Sequence, residues 1–517
     1  MNDCYAVLLD TVSIQEYIFS SNRLRENLGA SHLVKEIYRT YLNCALYTIT
    51  GSTIDLDAWE SAESEMPCDS EPVEIGYVGG GNALLFFQDE ELAQKFIEEW
   101  TKILLVHAPG LTTAVACSPF PKDLQKFPGS LKALFTKLRQ NKAQHSPITA
   151  LPRHGITAEC ARSGVSAEIY NVLVEAYVSA STNARIRAAS SSKEELEGKY
   201  RSEIADRFCF TDELDKLGGI RGEDSHIAIV HIDGNDIGKR FKEASTLKAI
   251  RQLSKTVRLA TEAAFKAIIA EAVEQYDNIM QSLGFDPDRY PKTDGKNILP
   301  IRSIVLGGDD VTFVCDGKLG IYFAKIFIEA FERGRASDSG KLTACAGVAI
   351  IQTKYPFYRG VALANELCTN AKKKRKDARS QDSFLDFHVS LGGVAGKLTE
   401  LRESYFQVPQ GSLLYRPFKV VPKDEKSLDL FLSKVWQIQS NLPNSQINRL
   451  REVLTFPEEA TRKFVQELKW RKRRLPEIEG HQYAETLFED GLTPYSDMVE
   501  ILRFYPEFAL QENGEKA

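Results

Sequence analysis

The same succession of predicted elements occurs twice in this chain of 517 residues. An apolar strand that ends at an aspartate is followed by a helical segment, a glycine-rich hairpin, a second helix and a last strand. The first strand ends at Asp10 in one copy and at Asp233 in the other, and the hairpins cover residues 75–87 and 300–315. The order β-α-β-β-α-β is typical of the ferredoxin-like fold. The sequence therefore predicts an α+β protein with two ferredoxin-like domains in tandem.

Two adjacent carboxylates stand at the tip of the second predicted hairpin. Asp309 and Asp310 follow Gly307 and Gly308, between runs of apolar residues that favour strands. Like charges repel each other, so an ordinary turn gains little from the pair, whereas Mg²⁺ or Mn²⁺ takes oxygen ligands and bridges them to substrate phosphates. The glycines allow a nucleotide to approach the backbone closely. A solvated Gly-Asp turn is the plain alternative.

A third acid, Asp233, ends the strand that precedes this hairpin. Palm domains of nucleotidyltransferases place one acid at the end of a first strand, beside a hairpin that carries the others. Together these acids hold two ions, roughly 3.5–4 Å apart, which activate the attacking hydroxyl and stabilise the leaving oxygen. Asp233, Asp309 and Asp310 are therefore predicted to be the catalytic metal ligands. The alternative role for Asp233 is that of a helix N-cap or loop acid.

The first hairpin has lost this pair of acids. Gly79, Gly80, Gly81 and Asn82 stand where the second copy has two glycines and two aspartates. Without hairpin acids a two-metal site is not expected, but the glycines are kept. We expect the first palm either to bind a nucleotide without metal or to act as a purely structural partner.

Composition excludes several classes of protein. The formal net charge is −6, so the surface as a whole is not that of a general nucleic-acid binder. The basic run at residues 468–474 is interpreted as a solvated face. Nine cysteines without a CxxC pair favour reduced thiols in a cytoplasm over a disulfide framework. No signal-peptide pattern and no membrane-spanning apolar run is found.

Four domains are predicted. They are a degenerate first palm at residues 1–122, a mainly helical linker domain at 123–218, the second palm at 219–395 and a helical domain at 396–517. Within the linker, residues 189–195 are predicted to form a loop followed by a capped helix start.

Several motifs together resemble the large subunit of type III CRISPR effector complexes, also known as the CRISPR polymerase or cyclic oligoadenylate synthetase. The similarity covers most of the chain. In the first palm it lies at residues 8–10, 14–19, 25–31 and 79–82, in the second palm at 233–238 and 307–310, and further along at 355–358, 371–372 and 443–450.

The resemblance implies ATP as substrate and pyrophosphate release. One ATP would lie on the second palm over its three acids, with Lys372 contacting the triphosphate by analogy with GGDEF-type cyclases. A solvated helix face is the alternative for the neighbouring lysines. A second ATP would lie on the first palm near Ser13 and residues 79–82, and would offer its ribose hydroxyl. The implied partners are small effector subunits with guide RNA and target RNA, in antiviral defence.

The chain also departs from the family pattern. None of its eight histidines is followed by aspartate, and little sequence precedes the first palm, so the HD nuclease domain of many relatives is expected to be absent. A single cysteine, Cys160, stands where relatives often carry a four-cysteine zinc site, so zinc is not expected. The role of Asp236 in the altered strand-end motif is left open. Two rival functions remain: a GTP-using, diguanylate-cyclase-like enzyme, and a catalytically silent scaffold.

Overall fold

The structure is a computed structural model that describes residues 3–68, 71–144, 155–217, 225–334, 340–390, 396–421 and 427–516. It contains the two predicted palms, a connecting region and a C-terminal region rich in helices. The predicted α+β class with tandem ferredoxin-like palms is confirmed. The predicted domain limits stay predictions, and residues 391–393, after which the helical domain was expected, lie outside the described residues.

The first palm is a four-stranded antiparallel sheet with helices on both faces. Its strands pair in the order β2-β3-β1-β4, which is the ferredoxin-like order. The strands are β1 (Cys4–Thr11), β2 (Val73–Gly79), β3 (Asn82–Phe87) and β4 (Thr113–Phe120), and the helices are α1 (Ile14–Phe19), α2 (Leu24–Ile37), α3 (Thr40–Thr50), α4 (Leu56–Glu60), α5 (Glu90–His107) and α6 (Phe127–Gln144).

The connecting region holds a small hairpin and a long helix that packs closely on α2. Its elements are β5 (Ile169–Asn171), β6 (Ala176–Val178), α7 (Ala180–Lys199), α8 (Arg201–Ile204) and β7 (Phe208–Cys209). The predicted loop at residues 189–195 is wrong, because these residues lie inside α7. Gly29 of α2 allows this: a Cβ there would lie 1.8 Å from the Arg185 carbonyl oxygen of α7. Packing on α2 therefore outweighs the weak helix preference of the serines.

The second palm repeats the first and extends its sheet to six strands, in the order β11-β12-β8-β13-β14-β17, where β17 (Phe418–Val421) comes from the C-terminal region. Its strands are β8 (His226–Gly234), β9 (Lys292–Thr293), β10 (Lys296–Ile298), β11 (Ile301–Gly307), β12 (Asp310–Asp316), β13 (Ala344–Gln352) and β14 (Ser383–Ser390), and its helices are α9 (Ile237–Lys242), α10 (Leu247–Glu274), α11 (Tyr276–Ser282), α12 (Gly320–Arg333) and α13 (Phe357–Asp377). Strand β8 is buried along nearly its whole length, as its apolar sequence predicts.

The C-terminal region is largely helical but supplies one strand to the second palm. Its elements are α14 (Leu398–Tyr405), β15 (Gln407–Val408), β16 (Gly411–Ser412), β17 (Phe418–Val421), α15 (Leu428–Asn441), α16 (Asn444–Val453), α17 (Glu458–Trp470), α18 (Tyr483–Thr486), α19 (Tyr495–Arg503) and α20 (Glu507–Lys516). Strand β17 pairs with the edge of β14. Among the helices of the described residues, none is long and apolar enough to cross a bilayer.

The palms pack against each other through a reciprocal exchange of helices. Tyr17 and Ile18 of α1 join the core on one face of the second sheet, together with Ile229. In return, residues of α10 such as Leu247 join the core on the corresponding face of the first sheet, with Leu8. Each palm therefore contributes helix residues that cover one apolar face of the other palm's sheet.

Helix α10 forms hydrogen bonds with both hairpins. Near its start, Arg251 is 1% exposed and donates to the carbonyl oxygen of Ile75 at 3.1 Å and to the carboxylate of Glu74 at 2.8 Å, both in the first palm. Further along, the Thr261 hydroxyl donates to the Gly308 carbonyl oxygen of the second hairpin at 2.6 Å. One helix therefore holds both hairpins through hydrogen bonds.

Candidate functional site

The three acids predicted from sequence meet at one end of the second sheet. Asp310 is the register partner of Asp233 across β12 and β8, and of Gly307 across the hairpin. The turn between β11 and β12 needs glycine at position 308, where φ is +59°. The carbonyl oxygen of Asp309 accepts from the Gly234 amide at 3.1 Å, which holds the turn over the end of β8.

The two hairpin acids are buried beside a third carboxylate. Burial, with the Asp233 carboxylate as the next cause, raises the pKa of both Asp309 and Asp310 to about 7. The Asp310 side chain is 36% exposed as a whole, but its Oδ1 atom is buried and has no hydrogen-bond donor among the described residues. Nearby His231 offers no charge, because burial lowers its pKa to about 4. Near neutral pH the pair is therefore only partly ionised.

Lys372 of α13 is the nearest cation. Its ammonium lies 2.5 Å from Asp233 Oδ2 and 3.3 Å from the Gly234 carbonyl oxygen. Burial opposes the charged form, but the Asp233 carboxylate outweighs it and raises the pKa of Lys372. Lys372 therefore lies in the acid cluster, where the sequence analysis placed it.

The cluster fits divalent cations by its donor chemistry rather than by a ready-made cage. Among the described residues, no three His, Cys, Asp or Glu side chains already converge as a metal site. However, the donors of this cluster are carboxylate oxygens, which Mg²⁺ and Mn²⁺ prefer. A dication would also offset the burial and the repulsion from Asp233 that raise the pKa of Asp309 and Asp310. The residues present therefore fit such an ion.

Gly234 lies directly beneath one of the acids, a role the sequence analysis missed. A Cβ at position 234 would lie 2.7 Å from Asp309 Cβ and 2.9 Å from Ile237 Cγ1. Only glycine leaves room for the Asp309 side chain. The next acid along, Asp236, has a left-handed backbone with φ of +60° and lies 2.7 Å from Arg375, whose hydrogen bond lowers the pKa of Asp236.

The first palm reproduces this scaffold without the acids. Asn82 is the register partner of Asp10 and of Gly79, matching the pairs of the second palm. Gly80 has φ of +60°, nearly that of the second turn, and Ser13, at the position equivalent to Asp236, has φ of +51°. Lys142 of α6 forms an ion pair with Asp10, as Lys372 does with Asp233.

Packing beneath the two turns is reversed between the palms. The first palm has Thr11 where the second has Gly234, and it has Gly81 where the second has Asp309. A Cβ at Gly81, whose φ is +77°, would lie 2.5 Å from Ile14 Cδ1 and 4.0 Å from Thr11 Oγ1. Each palm therefore has a side chain on one side of this contact and a glycine on the other.

The two hairpin tips touch. A Cβ on Gly307 would lie 3.8 Å from the Gly80 Cα atom, and one on Gly308 would lie 3.9 Å from it. The predicted nucleotide-binding glycines of both palms are therefore brought together at the interface between the palms.

A cavity of about 280 Å³ opens beside the first hairpin. Asp10 and Asn82 line it at the sheet, and three cationic side chains line it from helices: Arg139 and Lys142 of α6, and Lys242 from α9 of the other palm. Three cations against one carboxylate favour an anionic ligand.

Further residues of the site were not predicted. Gln15 and Asn365 form a hydrogen bond between the palms, Thr261 holds the second turn, and His231 lies 3.4 Å from Asp310. Only Gln15 lay in a motif that sequence analysis had singled out. Cys160 is buried and its thiol lies 3.8 Å from the Thr182 hydroxyl.

Comparison with known proteins agrees with the motifs. Residues 226–380 match the family model described as Cas10/Cmr2, second palm domain. No functionally curated protein matches the chain. Similar solved structures include a Csm1-Csm4 cassette in complex with cA4 (TM-score 0.47, 14% identity) and with one ATP (0.48, 14%), and the Csm1-Csm4 subcomplex in the type III-A CRISPR-Csm interference complex (0.47, 14%); each alignment covers 97% of this chain and 70% of the other. Residues 226–380 thus match the second palm domain of the Cas10/Cmr2 family, which bears out the resemblance to large subunits of type III CRISPR effector complexes.

Proposed function

We propose that this protein is a metal-dependent nucleotidyltransferase that joins ATP molecules into a cyclic oligoadenylate and releases pyrophosphate. The observation that carries the proposal is the register of Asp310 opposite Asp233, with Asp309 beside them and Lys372 within the same cluster. ATP is the substrate that the family resemblance implies. The same resemblance suggests that the protein acts within an RNA-guided complex that contains small subunits.

In the second palm, the three acids and Lys372 would hold a triphosphate. Bound divalent ions would supply Lewis acidity at the α-phosphate and neutralise the charge of the leaving pyrophosphate. Asp309 and Asp310 must lose their protons to take such ions, because the pKa of both is raised to about 7. Lys372 would bind an anionic phosphate oxygen, and Gly307 and Gly308 would leave the backbone open to the nucleotide.

In the first palm, the cationic cavity would hold the nucleotide that offers its ribose hydroxyl. Asn82 lines this cavity, Gly79, Gly80 and Gly81 form the adjoining turn, and Ser13 lies exposed near the same end of the sheet. Contact between Gly80 and Gly307 favours two nucleotides that meet where the palms touch. Positioning of the hydroxyl against the α-phosphate would then supply much of the rate.

The test is product analysis with the full chain. Purified protein is incubated with each labelled NTP and Mg²⁺ or Mn²⁺, and products are identified by mass spectrometry. We expect pyrophosphate and cyclic oligoadenylate from ATP. Cyclic products from GTP alone would favour the diguanylate-cyclase-like alternative, and no product with any NTP, with or without effector subunits and target RNA, would favour the scaffold.

The matched variant is Asp309→Asn together with Asp310→Asn, which keeps shape but removes charge. We expect turnover to fall on the order of 10³-fold or more, since loss of key transition-state charge in phosphoryl transfer costs that much. Glu16→Ala is the control, because Glu16 is exposed on α1 and its loss removes a carboxylate that lies outside the acid cluster. Unchanged turnover in the double variant would refute the proposed site.

A further inference from the structure

A second cavity, of about 290 Å³, lies between the C-terminal helices and the second palm. Val389 of β14 lines it from the sheet, and the other lining residues come from α15, from α16 and from α19 with the residue that follows it. Helix α16 contains most of the motif at residues 443–450, which the proposed function does not use. The cavity is therefore the place where this motif meets the second palm.

This cavity lies at the end of the second sheet that is opposite to the acid cluster. Phe504, which lines the cavity, packs against His226, the first residue of β8, with ring centroids 5.2 Å apart. Asp233 is seven positions further along β8, which corresponds to about 23 Å in an extended strand. The cavity is therefore separate from the acid cluster and from the hairpin tips that touch beside it.

Two arginines at this cavity have no acidic partner. The side chains of Arg451 and Arg503 are exposed and form no ion pair and no hydrogen bond with any of the described residues. Among the described lining residues the one carboxylate is that of Glu500, and it is already paired with the buried Arg416. The cavity thus has two uncompensated positive charges, which favour an anionic ligand.

Three amide side chains and an apolar floor complete the lining. Asn444 and Asn448 form no side-chain hydrogen bond within the described parts of the chain. Gln439 donates to Glu507 at 2.9 Å, which leaves its side-chain oxygen as an acceptor. The floor consists of buried apolar side chains, namely Val389, Ile447, Val499 and Phe504. Such amides can both donate to and accept from the edge of an adenine base, and an apolar floor suits its ring.

We propose that this cavity binds one adenine nucleotide unit, with its phosphate on Arg451 and Arg503 and its base against the amides and the apolar floor. A volume of about 290 Å³ is at the lower end for ligand pockets, which favours a single nucleotide. The unit belongs either to a free nucleotide or to a single-stranded RNA that places one base in the cavity. This site does not depend on the proposed catalytic activity, so either can fail without the other.

The test measures binding of AMP to the full chain by isothermal titration calorimetry, without divalent ions so that binding at the acid cluster is weak. UMP and inorganic phosphate are titrated in parallel. We expect AMP to bind at least about fivefold more tightly than UMP, which is the discrimination that an amide contact to adenine supplies. AMP should also protect the backbone amides of α16 and α19 from hydrogen exchange. If AMP binds no more tightly than phosphate, the assignment to a nucleotide is overturned.

Matched variants locate the site. Arg451 and Arg503 are exposed, so Arg451→Ala with Arg503→Ala should leave the fold intact. Arg449 lies on the same helix but pairs with Glu467 at 2.7 Å, so Arg449→Ala is the control. We expect the double variant to weaken AMP binding about 10–100-fold through loss of charged hydrogen bonds, and the control to bind AMP like wild type. Equal AMP affinity of the double variant and wild type, or protection confined to the palms, would refute the site.

Single-stranded RNA distinguishes the two sources of the nucleotide. An adenylate strand and a uridylate strand of equal length are titrated against wild type and the double variant. Tighter binding of the adenylate strand than of AMP, with the gain lost in the double variant, would identify an RNA strand as the ligand. Adenylate RNA that binds both proteins equally contacts another surface, and this result would assign the cavity to a free nucleotide.

Discussion

The two hairpins of this protein share a backbone and differ in chemistry. Both pair with the first strand of their palm in the same register, both turn through a glycine with φ near +60°, and both lie beside a lysine paired with the strand-end aspartate. Only the second carries acids. The comparison teaches that the turn and the lysine belong to the scaffold, whereas the acids are a separate feature that one copy can lack.

The residues that pack beneath the turn also differ between the two palms. The first palm has Thr11 opposite Gly81, and the second has Gly234 opposite Asp309. Thr11 also takes part in a buried hydrogen bond with the Tyr38 hydroxyl at 2.9 Å. The packing beneath the turn therefore differs between the palms along with the acids, so the first palm is more than a second palm with two side chains exchanged.

The largest expected effect is a loss of turnover that moving the acids to the first hairpin does not reverse. In the background of Asp309→Asn with Asp310→Asn, adding Gly81→Asp and Asn82→Asp should leave turnover at background. The new Cβ at position 81 would meet Ile14 at 2.5 Å, and φ of +77° disfavours a side chain there. Pyrophosphate release measures the result. Recovery of turnover would show that acid identity alone distinguishes the palms.

Next in size is the effect of removing each lysine. Lys372→Ala should lower kcat by about 10²–10³-fold, because it would remove the charge that we propose binds the reacting phosphates. Lys142→Ala should instead raise the nucleotide KM on the order of tenfold, through loss of a charged contact in the first cavity. Steady-state kinetics separate the two outcomes. Equal effects of both variants on kcat would contradict the assignment of different tasks to the palms.

Substitutions beneath the turns should have smaller effects, and on different properties. Gly234→Ala should displace Asp309, which lowers turnover and costs about 1–3 kcal/mol of unfolding free energy through overpacking. Thr11→Ala should cost about 1 kcal/mol through the lost hydrogen bond to Tyr38, with turnover nearly unchanged. Denaturant unfolding and pyrophosphate release are measured on both variants. A Gly234→Ala protein with normal turnover would show that the position of Asp309 is not critical.

The smallest expected effect is a difference in pH response without divalent ions. Burial raises the pKa of Asp309 and Asp310 to about 7 in the folded state, while the unfolded value stays near 4. The folded state then binds more protons between these values, so local stability of the second hairpin should fall as pH rises from about 4 to about 7. The first hairpin, with Gly81 and Asn82, should not respond.

Hydrogen exchange of the hairpin amides is the appropriate measurement, after correction for the intrinsic pH dependence of exchange. A measurement of global unfolding would also respond to other buried acids. Burial raises the pKa of Asp316 to about 7 and that of Asp497 to about 6 as well. In Asp309→Asn with Asp310→Asn the response of the second hairpin should disappear. An unchanged response would assign it to other groups.

Much of the architecture could be predicted because it depends on local patterns. Apolar strands ending in Asp10 and Asp233, and hairpins marked by glycines, predicted both palms and the meeting of Asp233 with the hairpin acids, which the register of Asp310 shows. Strand β17 was not predicted, because it forms by pairing with β14, and pairing partners distant in sequence leave little local signal.

The parts of the site that were missed depend on contacts between elements. Gly234 reads as an ordinary turn residue until Asp309 lies over it, and Gln15 reads as a polar position on a short helix until the palms dock. Lys372 was predicted by analogy, whereas its counterpart Lys142 was not, because nothing in the sequence marked α6 as the equivalent of α13.

Helix α10 affects how the molecule unfolds locally. Arg251 and Thr261, ten positions apart and so about 15 Å along the helix axis, hold the first and the second hairpin respectively. A long helix that packs along one face opens in contiguous cooperative units rather than residue by residue. Local unfolding of α10 would release both hairpins in one event, so a state with one competent palm and one released palm would be scarcely populated.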